Sequence, residues 1–466
     1  MLTHNQKVQE IRNQIKSFYK QKKKVRIYHG TATTTRKINF KKGEIIDISN
    51  FNEILEINEK EKYLVAEPNV SMEGLFKESI RVGLIPPVVM ESPSITIGGG
   101  IQGGAGESGS FKWGAFHEIC MEYEIVLGNG DLVTASHSKN SELFWGIACS
   151  YGTLGIITKV KLKLTPAKKF VHVIYYRTKN FSSTIEAIRK YTHELVDFVD
   201  SIIFSKEQGV VMVGKYSDQK DLAIKKFTRA YDEWYYLHVK KIIDKHEKYE
   251  ELIPIKDYIF RYNRGVFWTG EYILRWLHIP FNRLTRFLFN PILNYRAASR
   301  LMQDINLSHK YIVQDLCIPE KNILPFLEFS DKKIKIYPIF LCAASPSGHN
   351  DKLSPGFLKT DFFIDVCLYE MIKADYSKIY KINTEIENEI RRLGGRKWFY
   401  AHVYYSRKDF WEIYDKGWYE KLRQKCYANE VFPDIYEKTH VPEYYKLSLQ
   451  KALFNVIKSP FRIPVS

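Results

Sequence analysis

The chain has 466 residues, 45% of them apolar and 26% charged, with a formal net charge of +17. That length exceeds one ordinary core, and this balance excludes a disordered polypeptide, so two or more globular units are expected. No run of about 18 apolar residues occurs and no apolar segment opens the sequence, so neither a transmembrane helix nor a secretory leader is expected.

The excess of cations attracts phosphorylated ligands, anionic lipid or nucleic acid. Nucleic acid is not expected, because no zinc-finger spacing, RNP motif or basic zipper accompanies the charge. The six cysteines are scattered without a CxxC pair, which predicts buried free thiols in a reducing, cytoplasmic setting and no metal site. Aromatic residues reach 14%, enough to line a pocket for a planar or apolar ligand.

The first element is an amphipathic helix over residues 3–20, with Val8, Ile11, Ile15 and Phe18 at helical spacing and Thr3 and Gln6 as a capping box. A short strand from Val25 then enters a loop of small residues, Gly30, Thr31, Ala32, Thr33, Thr34 and Thr35, closed by Arg36. Backbone amides, hydroxyls and a guanidinium in such a loop suit a phosphate. Strands over 44–49 and 63–67, a helix over 72–82 and a Pro86-Pro87 turn follow.

Residues 96–108 hold six of the 26 glycines: Thr96, Ile97, Gly98, Gly99, Gly100, Ile101, Gln102, Gly103, Gly104, Ala105, Gly106, Glu107 and Ser108. Glycine at this density predicts a loop whose backbone closes on a flat, phosphate-bearing ligand. A strand over 119–127, a turn at 128–131 and a helix over 141–147 lead to a second glycine turn. There Gly152, Thr153, Gly155 and Ile156 open a strand that runs to Leu164.

From residue 170 the order strand, helix, strand, strand predicts an antiparallel sheet covered on one face by helices. The helix is expected over 184–198, with later strands over 310–318, 334–342, 361–369 and 398–405. A polar helix over 375–393 starts at Asp375 and ends at Gly394-Gly395. Residues 271–300 mix five arginines with Trp and Phe around one acid, as in an element lying on a membrane surface or in a helix pair with arginines facing solvent. Residues 444–463 are again basic and apolar.

Two glycine turns, the small-hydroxyl loop and an antiparallel cap resemble the vanillyl-alcohol-oxidase-type (PCMH-type) flavoproteins. Within them the sequence is similar to the delta(24)-sterol reductase group. The stretches that carry the likeness include residues 96–108 with Lys112-Trp113-Gly114, Gly152-Thr153-Leu154-Gly155, Arg261 to Arg264 with Phe267-Trp268, Val313-Gln314-Asp315, Tyr400-Ala401 and Phe410-Trp411-Glu412. The resemblance implies an α+β fold: an FAD-binding part over 1–167, an antiparallel substrate cap over 168–395, and a segment over 396–466 returning to the flavin. It implies FAD, held noncovalently because the first loop has no His and the glycine stretch no Cys; His29 stands just before the loop. The diphosphate is expected on residues 30–35 and on the amides of 96–108.

The resemblance further implies that NADPH reduces the flavin and that a C=C bond in the side arm of a sterol is reduced, with a hydride on one carbon and a proton on the other. Tyr404, His402, Asp315 and Arg261 are the expected sources or organisers of that proton. The animal and plant members carry an N-terminal membrane anchor that this sequence does not show, so peripheral membrane contact is the expectation. An oxidase or dehydrogenase of an alcohol or sugar is the alternative, and a binding protein that has lost flavin is a third.

Overall fold

The computed structural model describes residues 2–30, 34–36, 40–41, 43–304 and 307–441. Thr31, Ala32 and Thr33 of the first loop, and the basic segment 444–463, lie outside the described residues.

Thr3 accepts from the Gln6 amide and Gln6 reaches back to the Thr3 amide, so the first helix, His4–Lys20, starts where its capping box dictates. Its apolar stripe, Val8, Ile11 and Ile15, is buried. His4 bridges two carboxylates, Nδ1 to Glu67 and Nε2 to Glu124, each at 2.9 Å. The hydrogen bonds to Glu124 and then Glu67 raise the His4 pKa to about 9, against the opposing effect of burial. A histidine raised in the folded state stabilises fully below pH 6.5 and loses that contribution as pH rises through about 9. The melting-temperature advantage of wild type over His4→Gln is therefore expected to be largest near pH 6 and to vanish above about pH 9, measured by calorimetry across that range.

Two sheets follow. One has five antiparallel strands in the order Ile54–Asn58, Tyr63–Ala66, Ile156–Lys163, Cys120–Val126, Leu132–Ser136. Beside it, Arg26–Tyr28 pairs in parallel with Ile45–Asp47. The second sheet has eight strands in the order Lys248–Pro254, Phe170–Thr178, Gln208–Ser217, Phe198–Ser205, Ile339–Ala344, Phe363–Met371, Tyr311–Pro319, Arg396–Lys397.

Period-two alternation gives the large sheet two unlike faces. Ile312, Leu316, Ile318, Ile364, Val366 and Leu368 form one apolar face. Helices Phe181–Thr192, Ile323–Phe329 and Tyr376–Arg392 cover it with Ile185, Ile188, Phe326, Ile386 and Ile390. The opposite face carries Asp200, Asp315, Asp365, Cys367 and Tyr369, brought into adjacent rows by the pairings Asp200 with Cys342, Cys342 with Asp365, and Asp315 with Cys367. That face meets the glycine stretch: Val199 N donates to Ser108 O at 2.9 Å and Trp398 Nε1 to Gly104 O at 2.7 Å.

Four expectations need correction. Residues 96–108 are not all loop: Ile97–Gly103 is a helix, N-capped by Thr96 and ended by Gly104 in the left-handed region at φ 65°. Ile97 and Ile101, one turn apart, are fully buried, and their burial outweighs the entropy cost of the glycines. The helix expected over 184–198 ends at Thr192, because the following residues are needed for strand Phe198–Ser205. The strand expected over 334–342 is Ile339–Ala344, with a helical turn Ser330–Ile334 before it. The strand expected over 398–405 is an irregular run after the two-residue strand Arg396–Lys397.

A buried ion pair holds that run. Lys397 Nζ donates to Glu387 Oε1 at 2.6 Å, Gln314 Oε1 at 2.7 Å and His402 O at 2.6 Å. Glu387 accepts in turn from the Tyr404 amide at 3.0 Å. A single parallel bridge, Val403 with His440, and the Trp398 amide on Asp315 O hold the rest of the run.

Candidate active site

A cavity of about 380 Å³ lies among the glycine helix, the second glycine turn, the Arg26–Tyr28 strand and residues 437–441. Thr96, Gly98, Gly99, Gln102 and Gly103 form one wall, and Gly152, Gly155 and Ile156 another. Gln102 joins them: its Oε1 accepts from the Gly152 amide at 2.8 Å and from Ser150 Oγ at 2.9 Å. A Cβ added at Gly103 would meet only Tyr151 Oη, at 3.8 Å, so this wall is bare backbone facing open space. Gly103→Val should fold normally and weaken FAD binding roughly tenfold by intruding on that space, as read by flavin fluorescence titration. A Cβ at Gly104 would instead run into Cys149 Sγ, so substitution there disrupts packing.

The helix amides are already used. Ile97 N donates to Val70 O at 2.9 Å, Gly98 N to Pro68 O at 2.7 Å and Gly99 N to Thr96 Oγ1 at 3.1 Å. An anion in this cavity meets basic side groups instead. Arg26, Arg36 and Lys438 all line it. No carboxylate among the described residues lies within ion-pair distance of any of the three. Arg36 donates to the carbonyls of Phe399, Tyr400 and Ala401, and Lys438 to that of Tyr151. Burial, then Arg26 and Arg36, lowers the Lys438 pKa to about 7; burial and Arg26 lower that of Arg36 to about 10. His29, also in the wall, is lowered to about 4 by burial and Lys438.

One buried and two half-buried cations, none in an ion pair among the described residues, beside a wall rich in glycine backbone, fit a flat ligand that carries a diphosphate. FAD is such a ligand. Arg26, Arg36 and Lys438 would hold its diphosphate, and the two glycine walls its planar parts.

Tyr400 lines the same cavity and leads to the polar face of the large sheet. Its hydroxyl donates to Asp315 Oδ2 at 2.6 Å and stands 3.4 Å from Tyr369 Oη. Asp315 Oδ1 has no hydrogen-bond partner among the described residues, and burial raises the carboxyl's pKa. Glu91 is raised to about 7 by burial and by Glu107 beside it, with Tyr295 hydrogen-bonded to it. This end of the site thus carries carboxyl groups biased towards the protonated form.

The expected residues separate by place. Gly30 precedes the undescribed Thr31, Ala32 and Thr33, while Thr34 lines the cavity and Thr35 bonds to His402 Nδ1 at 2.7 Å. Ile97 and Ile101 lie in the core, and Gly100 packs against Met90 and Phe116. Ala105, Gly106, Glu107 and Ser108 lead from the helix to Arg261. That guanidinium is 2.5 Å from Asp200, 3.3 Å from Ser108 Oγ and 3.7 Å from Glu107, away from the glycine cavity. Thr153 is buried, accepting from Tyr419 Oη at 2.7 Å. His402 is held neutral by burial and Arg36. Tyr404 packs against Tyr380 and His402. Of the four residues expected to handle the proton, Asp315 bonds directly to the hydroxyl of Tyr400 in the cavity wall, and His402 reaches that residue's carbonyl through Thr35. Tyr400 lies in a stretch that carries the resemblance but is not among the residues expected to handle the proton, and Lys438, Arg26 and Glu91 carry no local signal in the sequence that singles them out.

Residues 4–136 match a family model described as an FAD binding domain. Over 452 residues the protein is 29% identical to the delta(24)-sterol reductase of Homo sapiens, covering 93% of this sequence and 86% of that protein. It is 26% identical to the delta(24)-sterol reductase of Pisum sativum, covering 93% and 84%. The protein is an FAD-dependent oxidoreductase, similar over most of its length to delta(24)-sterol reductases. A shorter match of 30% over 155 residues links it to cytokinin dehydrogenase 4 of Oryza sativa subsp. japonica, covering 31% of this sequence and 29% of that protein. Among the described residues no helix is long and apolar enough to cross a membrane.

Proposed function

We propose that this protein reduces an isolated C=C bond of a sterol-like substrate, with NADPH as the reductant of its FAD and Tyr400 as the proton donor. The observation that carries this reading is the relay of hydroxyl and carboxyl groups from the cavity wall inwards, Tyr400 to Asp315. The names of the human and pea relatives support the substrate class. FAD, when reduced, supplies the hydride.

An isolated alkene has no carbonyl to polarise, so the protein must place an acid against the carbon that does not take the hydride. Tyr400 is at the wall, and Asp315 stands behind it. Burial raises the Tyr400 pKa well above 10, so a tyrosinate left by proton donation is unstable here. Asp315, biased towards its protonated form, returns a proton along the 2.6 Å hydrogen bond. Tyr369 steadies the same oxygen.

Residues 1–167 would carry the cofactor and 168–395 the substrate cap, with Tyr400 and Lys438 of the C-terminal part completing the cofactor cavity. Oxidation of an alcohol or sugar has less support, since Asp315 is biased towards an acid and not a base. The test is product analysis. Purified protein, FAD, NADPH and desmosterol should give a sterol carrying two added hydrogens by mass spectrometry, and unchanged sterol would contradict the reading.

A further inference from the structure

The helix Arg283–Leu288 contains no buried residue. Leu284, Phe287 and Leu288 lie at i, i+3 and i+4 on one face and are 64%, 47% and 59% exposed, and Leu277, just after the preceding helix Thr269–Trp276, is 43% exposed. Apolar side chains of this size rarely cluster on a free surface. The hairpin that displays them is nonetheless well built. Ile273 and Leu274 anchor it in the core, Trp234 packs on Phe281 at 5.5 Å, and Asn282 caps the short helix in a capping box. The exposure is therefore a property of the fold. Around it stand Arg283, Arg286, Arg296 and Arg300, none within ion-pair distance of a carboxylate among the described residues; Arg275 alone pairs, with Glu271.

We propose that residues 277–288 dock this protein on an anionic lipid bilayer, with Leu277, Leu284, Phe287 and Leu288 entering the interface and the arginines on lipid phosphates. The charge chooses the occupant. A second copy on a two-fold axis would bring Arg283 and Arg286 against their own equivalents, a like-charge contact that opposes pairing. An anionic leaflet turns the same charges into attraction while accepting the apolar tips.

Flotation of the full-length protein with vesicles tests this. Wild type should float with phosphatidylcholine–phosphatidylserine vesicles and bind phosphatidylcholine vesicles far more weakly. Leu284→Ser/Phe287→Ser/Leu288→Ser, which touches no core residue, should bind at least about tenfold more weakly with an unchanged melting temperature. Arg283→Gln/Arg286→Gln should lose roughly tenfold and most of the salt dependence. Absence of wild-type flotation, or flotation of the triple variant equal to wild type, would overturn the proposal. So would a wild-type dimer that the triple variant converts to monomer, which would assign the face to a second copy.

Discussion

Tyr400→Phe is expected to slow alkene reduction by roughly a hundredfold or more while leaving FAD bound and reducible by NADPH. The substitution removes one oxygen and keeps the ring against the cavity. The Tyr400 carbonyl, which accepts from Thr34 Oγ1 at 2.8 Å, is untouched. What is lost is the hydroxyl that joins that wall to Asp315. Asp315→Asn keeps the shape and cannot return a proton, so its expected signature is a slowed second half of the cycle and a flattened pH profile. Rapid-reaction measurement of flavin reduction and reoxidation separates the two steps. Equal loss in both would mark Tyr400 as structural.

Arg36→Met and Lys438→Met should each weaken FAD binding by about 2 kcal/mol or more, roughly thirtyfold in Kd. These cations have no carboxylate among the described residues to compensate them, so the cofactor's diphosphate is their natural partner. Lys438 adds a pH dependence. Its pKa is about 7 in the folded protein against 10.5 for a free lysine, so the cost of burying its charge is full below pH 7 and disappears by about 10.5. The apoprotein should therefore gain stability from this group as pH rises through that window. FAD needs the charged form, so affinity should fall as pH rises above about 7, and Lys438→Met should flatten that fall. Equilibrium dialysis with flavin absorbance at several pH values checks both.

Much of the framework is legible in the sequence. The capping box at Thr3 and Gln6, the glycine turns and the alternation in the large sheet are short-range signals, and each marks its element to within a few residues. The glycine stretch is harder. Its density suggests a ligand-binding loop, yet Ile97 and Ile101 at helical spacing bury one face and leave Gly98, Gly99 and Gly103 as a bare wall. Tyr400 sits in an aromatic run that reads as a strand; the buried Lys397–Glu387 pair and the bonds from Arg36 to the carbonyls of Phe399, Tyr400 and Ala401 hold it at the cavity instead. Lys438 is one of 70 basic residues, and nothing local sets it apart. Its role depends on a distant N-terminal segment, where Arg26 and Arg36 lie. Carboxyl groups such as Asp315 and Glu91 acquire their acid character from burial, which sequence does not display.

Transfer of electrons from this protein's flavin to an alkene, with a proton delivered through Tyr400, is observable in a single anaerobic turnover. NADPH-reduced holoprotein in deuterium oxide is mixed with desmosterol while flavin absorbance is followed. The sterol should reoxidise the flavin, the product should carry solvent deuterium on the carbon that takes the proton, and the same reaction should run roughly a hundredfold slower in Tyr400→Phe. A flavin that stays reduced until oxygen is admitted would contradict it.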